Sequence, residues 1–77
     1  MQGLPILKAT EIIRTLLRAG FRIIRSRGSH YRFEHLVSKR RVTVSFHRGD
    51  VPIKTVVSIL RQAGLTVTEF IRYLSGK

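Results

Sequence analysis

The sequence predicts a two-layer α+β sandwich, with two helices laid over one face of a three-stranded antiparallel sheet. Three observations carry that expectation. Apolar residues recur at helical spacing near both ends of the chain, around Ile12 and around Val56. Between them lie three short runs in which apolar and polar residues alternate. The turns joining those runs are too short for a crossover, so successive strands pair antiparallel.

Residues 1–8 read as a leader in which Pro5 discourages regular structure. A helix follows, with Thr10 as its expected N-cap and Glu11 placing a carboxylate at the positive end of the dipole. Ala9, Ile12, Ile13, Leu16 and Leu17 form its apolar stripe, Arg14 and Arg18 its wet side, and Gly20 its stop. Phe21 to Arg27 reads as a strand, with Phe21 and Ile23 on one face and Arg22 and Ile24 on the other. After a Gly28-Ser29 turn, Tyr31 and Phe33 continue the apolar face, while His30, Arg32 and Glu34 take the opposite one. A polar turn at Ser38-Lys39 leads to a third strand, Arg41 to His47, in which Val42, Val44 and Phe46 alternate with Thr43, Ser45 and His47.

The basic loop from His47 to Pro52 comes next, and Asp50 or Pro52 is expected to open the second helix. Ile53, Val56, Val57, Leu60 and Ala63 stripe that helix, and Gly64 ends it. Thr66-Val67-Thr68-Glu69 matches a capping box and starts a short last helix with Phe70, Ile71 and Leu74 as its apolar contacts. The helices should cover the face bearing Phe21, Ile23, Tyr31, Phe33, Val42, Val44 and Phe46. Nothing is left to cover Arg22, His30, Arg32, Thr43, Ser45 and His47.

Seventy-seven residues, 43% of them hydrophobic, are expected to form one domain, residues 1–77, with a small core. The absence of cysteine removes disulfides and thiolate metal sites and suits a reducing cytosol. No apolar run reaches the ~18 residues of a membrane span, and Met1-Gln2-Gly3-Leu4-Pro5 lacks the pattern of a secretory signal. Fifteen Lys+Arg against four Asp+Glu give a formal charge of +11, a surface that calls for an anionic partner. The basic residues are spread over helices, strands and turns instead of one amphipathic helix, so nucleic acid leads over a membrane. Arginine predominates, and its planar fork suits phosphate oxygens.

Histidine is the side chain whose ordinary pKa, about 6.5, allows proton transfer near neutrality. His30 follows a tight turn with Arg27 and Arg32 on either side, a setting suited to chemistry on a phosphodiester. On local pattern alone an ordinary exposed strand residue fits equally, and is the commoner outcome. His30 and His35 lie an odd number of residues apart on one strand and should face opposite ways, which speaks against a shared metal. If Tyr31 pairs with Phe46, His30 falls opposite His47; a register two residues away puts Ser45 there instead. In the first register two imidazoles could serve as base and acid for attack by a ribose 2′-hydroxyl. His47 as a plain strand-end residue is the simpler alternative.

The ordered set of Ala19-Gly20-Phe21, Arg27-Gly28-Ser29-His30, Val42-Thr43-Val44 leading to His47, and Thr55 through Leu65 resembles the HicA toxins. These are the mRNA interferase half of bacterial HicA–HicB toxin–antitoxin pairs. The resemblance covers Thr10 to about Leu65 and implies a fold similar to the double-stranded RNA-binding domain, α-β-β-β-α with a short C-terminal helix here. It implies cleavage of mRNA with no required metal or cofactor, in the cytoplasm, and a HicB-type antitoxin that covers the active surface. His30 stands at the position of the family's catalytic histidine, and His47 at that of a second, less certain one. Arg22, Arg27, Ser29, Arg32, Arg48 and Lys54 are the residues expected to hold RNA. Two departures are visible: Ser45 stands where proline is frequent, and Lys54 where glycine often precedes Thr55. The rival readings are a non-catalytic RNA-binding module and a basic domain that binds only an acidic protein.

Overall fold

The computed structural model describes residues 3–76; Met1, Gln2 and Lys77, and so the first part of the expected leader, lie outside it. The elements in order are β1 (Leu7–Lys8), α1 (Ala9–Arg18), β2 (Phe21–Arg27), β3 (His30–His35), β4 (Arg41–Ser45), β5 (Asp50–Val51), α2 (Ile53–Ala63) and α3 (Val67–Leu74). β2, β3 and β4 form an antiparallel sheet in that spatial order, as the turn lengths require. The result is an α+β fold with the helix–three-strand–helix order of a double-stranded RNA-binding domain, followed by a third helix.

Both main helices bury the same arc, residues spaced i, i+3, i+4 and i+7. In α1 these are Ile12, Thr15, Leu16 and Ala19 at its C-cap; in α2 they are Val56, Ile59, Leu60 and Ala63. They close over Phe21, Phe33, Val42 and Val44 from the sheet and Phe46 just beyond β4, and Phe70 of α3 completes the core. The expected stripes are each too wide. Leu17 is 46% exposed because it sits about 100° round the helix from the buried arc; Ile53, aligned with the arc of α2 but at its first residue, is 47% exposed. Thr15 is buried in Leu17's stead, its hydroxyl satisfied by donating to the Glu11 carbonyl at 2.6 Å. Ile23 lies on the covered side but, being on the outer strand, is 40% exposed.

Three further expectations change. The leader is not irregular throughout: Leu7 and Lys8 pair with Val51 and Asp50, a two-stranded clip that buries Leu7. The clip moves the start of α1 forward, so Lys8 and not Thr10 is the N-cap, with its backbone N–H donating to Glu11 Oε1 at 2.9 Å. The third strand ends at Ser45 instead of His47. Pro52 does cap α2, Gly64 ends it at a left-handed φ of 72°, and the Thr66–Glu69 capping box forms with both bonds at 2.9–3.0 Å. Among the described residues no helix is long and apolar enough to cross a membrane.

Candidate functional site

The β2–β3 hairpin turns at Gly28, whose φ of 58° is open to glycine at little cost, and at Ser29. That turn is fastened to the next strand: Phe46 N–H donates to the Ser29 carbonyl at 2.9 Å, and the two hydroxyls of Ser29 and Ser45 stand 3.5 Å apart. His30 begins β3 immediately after this anchor. It pairs across the ladder with Arg27 on one side and Ser45 on the other, exposed on the face away from the helices. The register is therefore the one that aligns Tyr31 with Val44 and Phe33 with Val42, not Tyr31 with Phe46. His47 is exposed beyond the end of β4 and does not oppose His30. In this register Phe46 meets the ring of Tyr31 edge-on at 5.6 Å.

A shallow depression of about 200 Å³ lies beside His30, lined by Arg25, Arg27, His30, Tyr31, Arg32 and Thr43. Tyr31 is half-buried, stacked against Phe33 at 6.1 Å, and belongs to the core side of the sheet. Sequence parity does not anticipate Arg25 in this position. Strict alternation from Phe21 puts Arg25 and Arg27 under the helices, but an extra residue, Ile24, interrupts the ladder between the Ile23–Phe33 and Arg25–Arg32 pairs. The bulge reverses the parity of everything after it and brings both arginines to the open face. One signal for it is present in the sequence: past Ile23 the pattern would place an isoleucine in water and an arginine in the core.

The other expected residues are more dispersed. Arg22 sits on the same face, but its guanidinium donates to Glu34 at 3.3 Å, and Arg41 reaches the second oxygen of that carboxylate at 3.4 Å. The Arg22 hydrogen bond, with Arg41 adding to it, holds the Glu34 carboxyl below the usual glutamate range. Arg48 is exposed in the loop before β5. Lys54, in the first turn of α2, lines a separate groove of about 310 Å³ with Thr43, Ser45, Thr55, Ser58 and Gln62. Gln62 latches that groove by accepting from Thr43 N–H at 2.9 Å and donating to Ser58 at 3.3 Å. His35 faces the covered side, as its parity requires. Its ring packs edge-on to Phe21, Nδ1 accepts from the N–H groups of Val37 and Ser38, and Nε2 is thereby left to donate to the Ala19 carbonyl at 3.0 Å. Among the described residues no three His, Asp or Glu side chains gather in a way that could hold a metal ion.

An α+β domain with helices on one sheet face, and a bare, arginine-rich face holding one histidine opposite, belongs to the class of small basic domains built like the double-stranded RNA-binding fold. Comparison with family models narrows this: the model for the HicA toxin of bacterial toxin–antitoxin systems matches residues 9–65. The chain belongs to the HicA toxin family, the toxin side of a toxin–antitoxin pair. A search of individually curated proteins gave no match.

Proposed function

We propose that the protein is a ribonuclease toxin that cuts mRNA by using the ribose 2′-hydroxyl as nucleophile, with His30 as the general acid–base. Membership of the HicA family supports the toxin role. The observation that carries the chemistry is the position of His30, exposed on the open face, anchored by the Ser29 turn and directly across from Arg27. In this reading His30 removes the 2′-hydroxyl proton as the oxygen attacks the adjacent phosphorus. The bond to the 5′-oxygen breaks, and that oxygen takes up a proton. The products are a 2′,3′-cyclic phosphate and a 5′-hydroxyl. Arg27, directly across from His30, offsets the negative charge that grows on the phosphorane, and Arg32, one rung along, adds to the positive field there. Ser29, Arg48 and Lys54 serve more peripheral contacts to the backbone, Arg22 being engaged by Glu34, and His47, which does not oppose His30, is at most an auxiliary for the second proton transfer. No metal or cofactor enters the scheme. The cognate antitoxin, of the HicB type, restrains the toxin in the cytoplasm by covering the basic face.

The test is cleavage of a single-stranded RNA by the purified protein, with the ends of the products identified. Cyclic phosphates and 5′-hydroxyls, lost on 2′-deoxy substitution at the cut bond and in His30→Ala, are the expected result. Products bearing 5′-phosphates would rule the scheme out.

A further inference from the structure

We propose that Arg25 and Arg32 form a clamp for one backbone phosphate, the neighbour of the phosphate that His30 and Arg27 address. The inference rests on the ribonuclease reading and deepens it by giving the substrate a path and Arg25 a role.

The open face has two ends of different character. At one end the positive charges are already satisfied, with Arg22 and Arg41 flanking Glu34. At the other, Arg25 stands directly across from Arg32, and Arg27 directly across from His30. Among the described residues none of Arg25, Arg27 and Arg32 has a carboxylate partner, the four acidic side chains being engaged elsewhere. Like charges placed opposite each other on a ladder destabilise it. This pair is moreover created by the bulge at Ile24, without which Arg25 would share the covered face. The fold therefore sets two guanidinium groups around a depression of about 200 Å³ with no protein anion to relieve them. A phosphate, with oxygens for both planar forks, is the complementary ligand.

Spacing assigns which phosphate. The Arg27–His30 and Arg25–Arg32 pairs are successive rungs on one face, two residues apart along β2, or roughly 6–7 Å. Successive phosphates of an extended single RNA strand are separated by about the same length. A strand lying along β2 and β3 places its scissile phosphate at His30 and the next one between Arg25 and Arg32. Beyond that it meets Glu34, which limits the grip to these two phosphates.

The experiment uses a short single-stranded RNA whose cut bond has been mapped, and copies in which one flanking phosphate at a time is replaced by a neutral methylphosphonate. With the wild type, one adjacent replacement is expected to raise KM about tenfold at nearly constant kcat, the loss of one charge-assisted contact. Arg25→Gln should raise KM for the unmodified RNA by a similar factor and be indifferent to that replacement. Arg14→Gln, which removes the same charge from the wet side of α1, should have less than a twofold effect. Arg25→Lys, which keeps the charge without the fork, should fall between and covers the case that glutamine disturbs the hairpin. Penalties from Arg25→Gln and the methylphosphonate that multiply, or an Arg25→Gln effect no larger than that of Arg14→Gln, would overturn the clamp. If the wild type binds the RNA without cutting it, the ribonuclease reading fails by itself, and the same comparisons made by equilibrium binding still decide the clamp.

Discussion

The imidazole of His35 holds the end of α1 against the β3–β4 turn, its Nε2 lying 3.0 Å from the carbonyl oxygen of Ala19. The neighbouring Gly20 has a φ of +98°, and a Cβ there would come within 2.8 Å of the same nitrogen. Gly20→Ala is therefore strained both by its backbone and by the ring, and is expected to cost about 1–3 kcal/mol in denaturant unfolding. His35→Ala should cost about 1–2 kcal/mol through the lost bonds. Cleavage per folded molecule should survive in both, because the ring faces away from the open side of the sheet.

His30 is expected to behave oppositely. His30→Ala should leave the thermal transition nearly unchanged and reduce cleavage by about 10²–10⁴-fold, the usual contribution of a positioned acid–base group. RNA binding should stay within a few fold of wild type. His47→Ala, outside the ladder and not opposed to His30, is expected to cost less than tenfold; a loss as large as that of His30→Ala would make it an equal partner.

Acid should weaken the fold through Glu34. Its carboxyl is held below the ordinary range by the Arg22 hydrogen bond and by Arg41, so the folded state binds this proton less readily than the unfolded chain. The resulting stability is present above the unfolded pKa, about 4.3, and is lost as pH falls through the lower folded value. Glu34→Gln should flatten that part of the stability–pH curve, measured by urea unfolding at closely spaced pH values.

The α3 cap offers a simple stability check. Thr66 Oγ1 accepts from Glu69 N–H at 3.0 Å, and Thr66 N–H donates to Glu69 Oε1 at 2.9 Å. Thr66→Ala is expected to cost about 1 kcal/mol, read as a fall in Tm of about 4–8 °C.

Period and punctuation make most of the fold legible from the residues alone. Helical spacing locates α1 and α2, alternation locates β2 to β4, and the Thr66–Glu69 spacing locates the start of α3. The position of His30 on the bare face follows from parity with Tyr31 and Phe33. What stays hidden depends on contacts distant in sequence. The pairing of Leu7 with Val51 leaves no local mark in two-residue strands. Pattern leaves the register of β3 on β4 undecided, because either choice keeps valines and phenylalanines on the covered side. The bulge at Ile24 shifts two arginines across the sheet by a single inserted residue, a change that propensity does not record.

The small β1–β5 clip bears on which piece of the chain can stand alone. Leu7, sealed at 2% exposure by that clip, and Phe70, wholly enclosed, both lie outside residues 9–65 that define the family match. A fragment cut to those limits would surrender one side chain from each flank of its interior. We expect it to be a poorly packed species that binds hydrophobic dye and unfolds without a sharp transition, however faithfully it retains the signature residues.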